Sequence, residues 1–243
     1  YPADDAAVAT VIEMGMWSHG HPFSLDDAGC EWNASLSQPD GSAFSLGNRD
    51  APYCVAVEWK HKGRHNVCNA LAAAGLAETV GIPLERSAAA LRDFRGVKRR
   101  LELLGCIAGV TVYDDFAHHP TAIEVTLQGL RAAKAGGRIV AVIEPRSNTM
   151  RLGAHRERLP ECTRDADQVL WYQPPGVDWD LESVARESAT PSRVFQSTDA
   201  IIGALVAELQ PGDQVVIMSN GGFEGVHRRL LQALESAVPS RAG

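Results

Sequence analysis

The stretch Gly109-Val110-Thr111-Val112-Tyr113-Asp114-Asp115-Phe116-Ala117-His118-His119-Pro120 decides how this chain is read. Val110, Val112 and Tyr113 are β-branched or aromatic and predict a short buried strand. Pro120 suits the first turn of a helix, because its missing N–H would lack a partner there anyway. Ile123, Leu127 and Leu130 then recur at helical spacing. Two carboxylates and two imidazoles are therefore expected at the carboxyl end of a strand and the start of the next helix. Open α/β sheets bind ligands at that edge. A purely structural role, with the acids polarising a turn and the histidines capping the helix, is the competing account.

Downstream, strand-like runs at 138–143, 169–172, 194–195 and 214–218 alternate with helical stretches at 121–135, 200–209 and 226–237. With 101–104 and 110–113 upstream, this alternation predicts βαβ units and a mainly parallel sheet covered on both faces. Pro174-Pro175-Gly176 reads as a loop.

Upstream the pattern differs. Residues 31–36 and 43–46 predict a β-hairpin around the turn signal Pro39-Asp40-Gly41, and 54–59 is a further strand. The first sixty residues show little helical pattern. A long helix is expected over 66–80, stopped by Gly81 and Pro83, with a shorter one over 84–94. Arg95-Gly96-Val97-Lys98 is the candidate domain boundary, giving units 1–95 and 96–243.

Hydrophobic content of 45% and charged content of 22% describe an ordinary globular protein. The net charge of −7, spread without a basic run, argues against nucleic acid or an anionic membrane as main partner. Five scattered cysteines with no C-x-x-C pair suit a reducing compartment such as the cytoplasm and offer no metal cluster. No apolar run approaches the ~20 residues of a membrane span.

Four places can carry chemistry. At Gly63-Arg64-His65-Asn66-Val67-Cys68-Asn69, Asn66 can cap the helix, but Asn69 is a poor helix former. An amide presents donor and acceptor together, which matches a purine edge. Lys98-Arg99-Arg100 is either a solvated surface or a phosphate clamp at the junction. Glu144-Pro145-Arg146-Ser147-Asn148-Thr149-Met150-Arg151 follows an apolar strand, and an arginine fork suits a carboxylate. Ser219-Asn220-Gly221-Gly222-Phe223 again lies between strand and helix, where a tight turn alone would explain the glycines. There is no G-x-x-x-x-G-K-[ST] phosphate loop, no H-E-x-x-H, no G-x-S-x-G and no compact metal-ligand cluster.

In order and spacing, three segments together resemble the Mur ligases: 63–73, then Phe94-Arg95-Gly96 with Arg99-Arg100-Leu101-Glu102, then Asp114 to Pro120. The 144–150 and 218–223 segments resemble the branch that returns a salvaged murein tripeptide, L-alanyl-γ-D-glutamyl-meso-diaminopimelate, to UDP-N-acetylmuramate. The likeness extends over nearly the whole chain.

The resemblance implies an ATP-dependent amide-bond ligase of peptidoglycan recycling. Its fold would be the tail of a central ATP-binding domain followed by a complete Rossmann-like C-terminal domain. On that likeness the UDP-binding domain, the phosphate loop and the magnesium ligands are expected upstream of Tyr1. His65, Asn66 and Asn69 would hold adenine, and Asp115 the ribose hydroxyls. Arg100 and His118 would lie near the sugar and phosphates as auxiliary groups. Arg146, Ser147, Asn148, Thr149, Arg151, Ser219, Asn220 and Gly221 would contact the peptide. Phe116 stands where many relatives have tyrosine, so a hydroxyl contact is lost. Two alternatives stay open: the L-alanine-adding branch, and a nucleotide-binding module without catalysis.

Overall fold

The computed structural model describes residues 1–51, 53–133, 136–173, 175–176 and 179–237. The chain forms two compact units, Tyr1–Arg95 and Gly96–Gly243.

The first unit opens with helix α1, Ala6–Met14, which the sequence reading overlooked. Asp5 starts it, its carboxylate accepting from the N–H groups of Ala7 and Val8. Strands β1 (Phe23–Ser24), β2 (Trp32–Leu36), β3 (Ala43–Asn48) and β4 (Cys54–Glu58) form a sheet in that order. β1 is parallel to β2, and the other pairs are antiparallel. At the hairpin turn the Asp40 carboxylate accepts from the N–H and hydroxyl of Ser42 and from Lys62. That one side chain fixes the turn chosen by Pro39-Asp40-Gly41.

Helices α2 (Arg64–Thr79) and α3 (Leu84–Asp93) cover the sheet. Trp32, Phe44, Leu46 and Val57 meet Val67, Leu71, Ala74 and Ala88 in a buried core. Each large side chain so buried contributes about 1.5–3 kcal/mol. α2 begins earlier than expected, because Gly63 takes a φ of +94° and lets the chain turn in. Asn66 is therefore inside the first turn rather than a cap, and its amide donates to the Lys62 carbonyl at 2.7 Å.

In the second unit β5 (Glu102–Ile107) and β6 (Val110–Asp115) form a hairpin. Its two turn residues, Ala108 and Gly109, both have positive φ, which matches the twist of the strands. There follow α4 (Pro120–Ala133), β7 (Ile139–Ile143), α5 (Asn148–Arg151), α6 (Leu159–Cys162), β8 (Gln168–Tyr172), α7 (Leu181–Glu187), β9 (Ser192–Phe195), α8 (Thr198–Glu208), β10 (Gln214–Met218) and α9 (Val226–Ala237). The strand order is β5-β6-β10-β7-β8-β9, parallel except for β5.

β7 shows how both faces are covered. Ile139, Ala141 and Ile143 pack with Ile123, Leu127 and Leu130 of α4, while Val140 and Val142 pack with Ile201, Leu205 and Leu230 on the other side. An unbroken apolar strand is what two-sided burial requires. The mainly parallel, doubly covered sheet is as expected, and the short helices α5, α6 and α7 are additions. The expected ends at Ala135 and Pro174 lie outside the described residues. Among the described residues no helix is long and apolar enough to cross a membrane.

Candidate functional site at the carboxyl edge of the parallel sheet

Met218 pairs in register with both Asp115 and Ile143, so β6, β10 and β7 end level. The loops that follow them, 116–119, 219–222 and 144–147, therefore leave from one edge. Backbone bonds tie the exits together: Ser219 N–H donates to the Asp115 carbonyl at 3.1 Å, and Glu144 N–H to the Met218 carbonyl at 3.0 Å.

A strand's period of two sends Asp114 and Asp115 to opposite faces. Asp114 faces Arg99, whose Nε lies 3.1 Å away, and His227, whose Nε2 lies 3.1 Å away in close but poorly aligned contact. Burial alone would raise the Asp114 carboxyl, but His227 and Arg99 outweigh it and hold it below the ordinary value. Asp115 is 3% exposed. It accepts from Leu101 N–H and Ala117 N–H, both at 2.7 Å, and from the Thr126 hydroxyl at 3.4 Å. Here burial wins, and the carboxyl is pushed up despite those bonds and nearby Arg100.

Both oxygens of Asp115 accept bonds from the chain itself, pinning residues 99–101 against the start of the 116–119 loop. The pinned strap is unusual, for Arg99 and Leu101 both have positive φ without being glycine. Glu102 accepts the Arg99 N–H at 2.8 Å, and Arg99 Nη2 donates to the Ser219 carbonyl at 2.6 Å. Arg99 also lies 5.3 Å, and Arg100 5.9 Å, from the Phe116 ring centroid.

His118 Nδ1 sits 2.8 Å from the Phe116 carbonyl, and its ring meets those of Phe116 and His119 edge-on. Burial first, then the charges of His118, His155, Arg100 and Arg158, push His119 below its ordinary value. Arg100, Arg146 and Arg151 are exposed. The edge thus has a cationic rim around carboxylates that are already engaged.

Ser219 is wholly buried and donates to the buried carboxylate of Glu144, while Gly221 N–H donates to its oxygen at 2.9 Å. Ser219 thus braces the edge from within. Ser147 caps α5, accepting from Met150 N–H at 3.3 Å, and Thr149 Oγ1 lies 3.3 Å from its hydroxyl. Asn148 and Thr149 are exposed. Asn220 Oδ1 is buried and accepts no hydrogen bond among the described residues. The Arg146 guanidinium lies against Gly221, in the space a Cβ would occupy. In the first unit, α2 carries His65 and Asn66 half-buried and Asn69 exposed. Asn66 and Asn69, three apart, share one side of the helix.

Glu144 and His227 join the edge without a role expected from the sequence. Glu144 carried a signal, since an acid directly after a wholly apolar strand must be paired if it stays buried. His227 carried none. A second omission is a metal-ligand grouping in the first unit, where His19, His21 and Glu31 converge. The site can bind and orient anionic groups. A nucleophile paired with a base is not among its described contacts.

Residues 99–221, just over half of the chain, match the family described as "Mur ligase, glutamate ligase domain". The chain belongs to the Mur ligase family. It is 40% identical over 96% of its length to the UDP-N-acetylmuramate–L-alanyl-γ-D-glutamyl-meso-2,6-diaminoheptandioate ligase of Escherichia coli, covering 50% of that protein. The ligase of the same name from Haemophilus influenzae is 37% identical over 96% of this chain and 51% of its own length. Among solved structures, a murein peptide ligase from Psychrobacter arcticus superposes with a TM-score of 0.72 at 40% identity, over 96% of this chain and 50% of that one. The chain spans about half the length of these Mur ligases.

Proposed function

We propose that this chain is part of an ATP-dependent ligase that joins the tripeptide L-alanyl-γ-D-glutamyl-meso-diaminopimelate to UDP-N-acetylmuramate. The observation that carries this reading is 37–40% identity, across 96% of the chain, to two ligases named for that substrate pair. Within this reading, residues 1–95 belong to the central domain and 96–243 form the C-terminal domain.

The chemistry needed is activation of a carboxylate, because a carboxylate is unreactive toward an amine until one oxygen becomes a leaving group. ATP supplies that by phosphorylating it, and the tripeptide's amine then displaces phosphate. The chain's own residues contribute binding, orientation and charge neutralisation. Asn66 spends its N–H on Lys62 and retains its oxygen, an acceptor suited to an exocyclic amine. Asn69, exposed beside it, offers a whole amide to a purine edge, with His65 next to them. Arg100 and His118 stand at the sheet edge where sugar and phosphate are expected. Arg146 and Arg151 face solvent with charge suited to the tripeptide carboxylates. Asn148, Thr149, Asn220 and Gly221 add hydrogen-bonding capacity.

Among the described residues the sheet edge holds no group of three His, Cys, Asp or Glu ligands. Magnesium commonly takes only one or two carboxylates beside nucleotide phosphates and water; Asp114, Asp115 and Glu144 already bond to the chain, so none of them is assigned to the ion.

The test is product formation by the full-length gene product carrying these residues, given ATP, UDP-N-acetylmuramate and either tripeptide or L-alanine. Mass spectrometry should find the tripeptide adduct with stoichiometric ADP. Adduct with L-alanine alone would move the chain to the sibling branch, and ATP binding without either adduct would make it a binding module.

A further inference from the structure

The turn leading into β1 and the start of β2 bring together three side chains that the proposed ligase reaction does not use. The candidate ligand atoms of His19, His21 and Glu31 all lie within 4.8 Å of one another. His21 Nδ1 is 2.5 Å from Glu31 Oε1, and the two imidazoles meet edge-on with centroids 4.7 Å apart. The backbone beneath them is fixed. Phe23 pairs with Trp32 in the parallel register, Trp32 N–H donates to the Pro22 carbonyl at 3.1 Å, and Arg49 N–H donates to the Glu31 carbonyl at 2.8 Å. Gly20, between the histidines, lies under Met16 and the Tyr1 ring, where a Cβ would come within 2.8 Å of both. The His-Gly-His bend is therefore packed as well as hydrogen-bonded.

We propose that His19, His21 and Glu31 form a binding site for a divalent transition-metal ion of the zinc class. Two imidazoles and one carboxylate are a donor set for zinc, cobalt or nickel. Magnesium and calcium demand oxygen ligands and gain little from imidazole. Bonds of about 2.0–2.2 Å to a tetrahedral ion place its ligand atoms about 3.3 Å apart. The cluster reaches that spacing by side-chain rotation: the His21–Glu31 contact opens from 2.5 Å, and His19, which is exposed, swings in. His19 leaves the remaining coordination position open to water. Such an ion ties the 19–21 bend to the start of β2. The sequence concealed the site, since Glu31 stands ten residues from His21 and only the β1–β2 pairing unites them.

The experiment is titration of chelator-treated protein with zinc by calorimetry, paired with cobalt absorption in the visible region and thermal melts. One equivalent should bind with a Kd of about 1 μM or tighter and raise Tm by mass action. His19→Gln and His21→Gln should each weaken binding at least about tenfold, Glu31→Gln should also weaken it, and millimolar magnesium should leave it unchanged. Each variant's melting temperature without metal serves as the folding control. The two histidine variants decide should the change at half-buried Glu31 disturb the turn, because His19 and His21 are both exposed. Unchanged zinc affinity in the His19→Gln, His21→Gln double variant, or no saturable binding below about 100 μM, overturns the site.

Discussion

Arg99 Nη2 donates to the carbonyl of Ser219, 120 residues further along the chain, at 2.6 Å. Its Nε simultaneously lies 3.1 Å from Asp114 on β6. One planar guanidinium thus joins β6 to the 219–222 loop through two differently aimed donors. Arg99→Ala should cost about 2 kcal/mol, the usual loss for bonds involving a charged group. Arg99→Lys should recover less than half, because one ammonium cannot meet both acceptors. Urea unfolding of the three proteins measures this, and a lysine variant as stable as the parent would refute the two-donor account.

Asp115→Asn should be destabilising by about 1–3 kcal/mol. The amide keeps one acceptor oxygen but turns an NH₂ toward the N–H of Leu101 or Ala117, donor against donor. A fall in Tm of about 3–10 °C is expected, with faster amide hydrogen exchange at Leu101 and Ala117. A variant melting with the parent would show that these bonds contribute nothing.

Ser219→Ala should leave the Glu144 carboxylate, 4% exposed, without its hydroxyl donor and strip Gly221 N–H of its acceptor. The expected cost is about 1–3 kcal/mol. Ser219→Thr, which keeps the hydroxyl, should fall between. Equal stability of alanine and serine at this position would contradict the brace.

Gly221→Ala should leave stability within about 0.5 kcal/mol, since the exposed Arg146 side chain, from Cδ outward, can swing aside. If Arg146 holds a tripeptide carboxylate, the acceptor's KM in the full-length gene product should rise while that for ATP stays put. Steady-state kinetics with each substrate varied separates the two.

Acid should unfold the second unit in a definable window. Asp213 lies at the amino end of β10 and accepts from the Arg138 guanidinium and from the N–H groups of Arg138 and Gln210. Burial by itself raises its carboxyl, but these partners outweigh it, as happens at Asp114, and both sit below the ordinary 3.8. A depressed pKa contributes stability that is fully present above the unfolded value and disappears as pH falls through the folded one. Asp115 has the opposite sign, its raised pKa favouring the fold on the acid side. Thermal melts of parent and Asp213→Asn between about pH 2 and pH 6 should therefore converge toward the acid end. A constant difference throughout would argue against the linkage.

Much of this was readable beforehand, for local reasons. Pro39-Asp40-Gly41 marked the hairpin because turn chemistry is written in neighbouring residues. Val110 to Tyr113 and 139–143 marked buried strands because burial on both faces leaves an apolar run. α1 lies in a stretch with little helical pattern, because Thr10, Val11 and Ile12 are β-branched and weak helix formers, although Asp5 was a legible cap. The engagement of Asp115 and Ser219 was not readable, since a sequence shows which groups can bond but not whether the chain itself takes the bonds. The same holds for Arg99 and His227, whose partners come from distant strands.

Among the described residues β10 is the last strand in sequence, yet it lies between β6 and β7 at the centre of the sheet. As the chain leaves a ribosome, β6 and β7 emerge with no neighbour between them, and both present unpaired amides and apolar faces until residue 218 is free. The six-stranded sheet therefore cannot assemble progressively during translation. It must close in one late, non-local step, of the kind that folds slowly and invites chaperone capture. A nonsense change anywhere upstream of β10 would remove the sheet's middle, leaving two strand groups with nothing to join them.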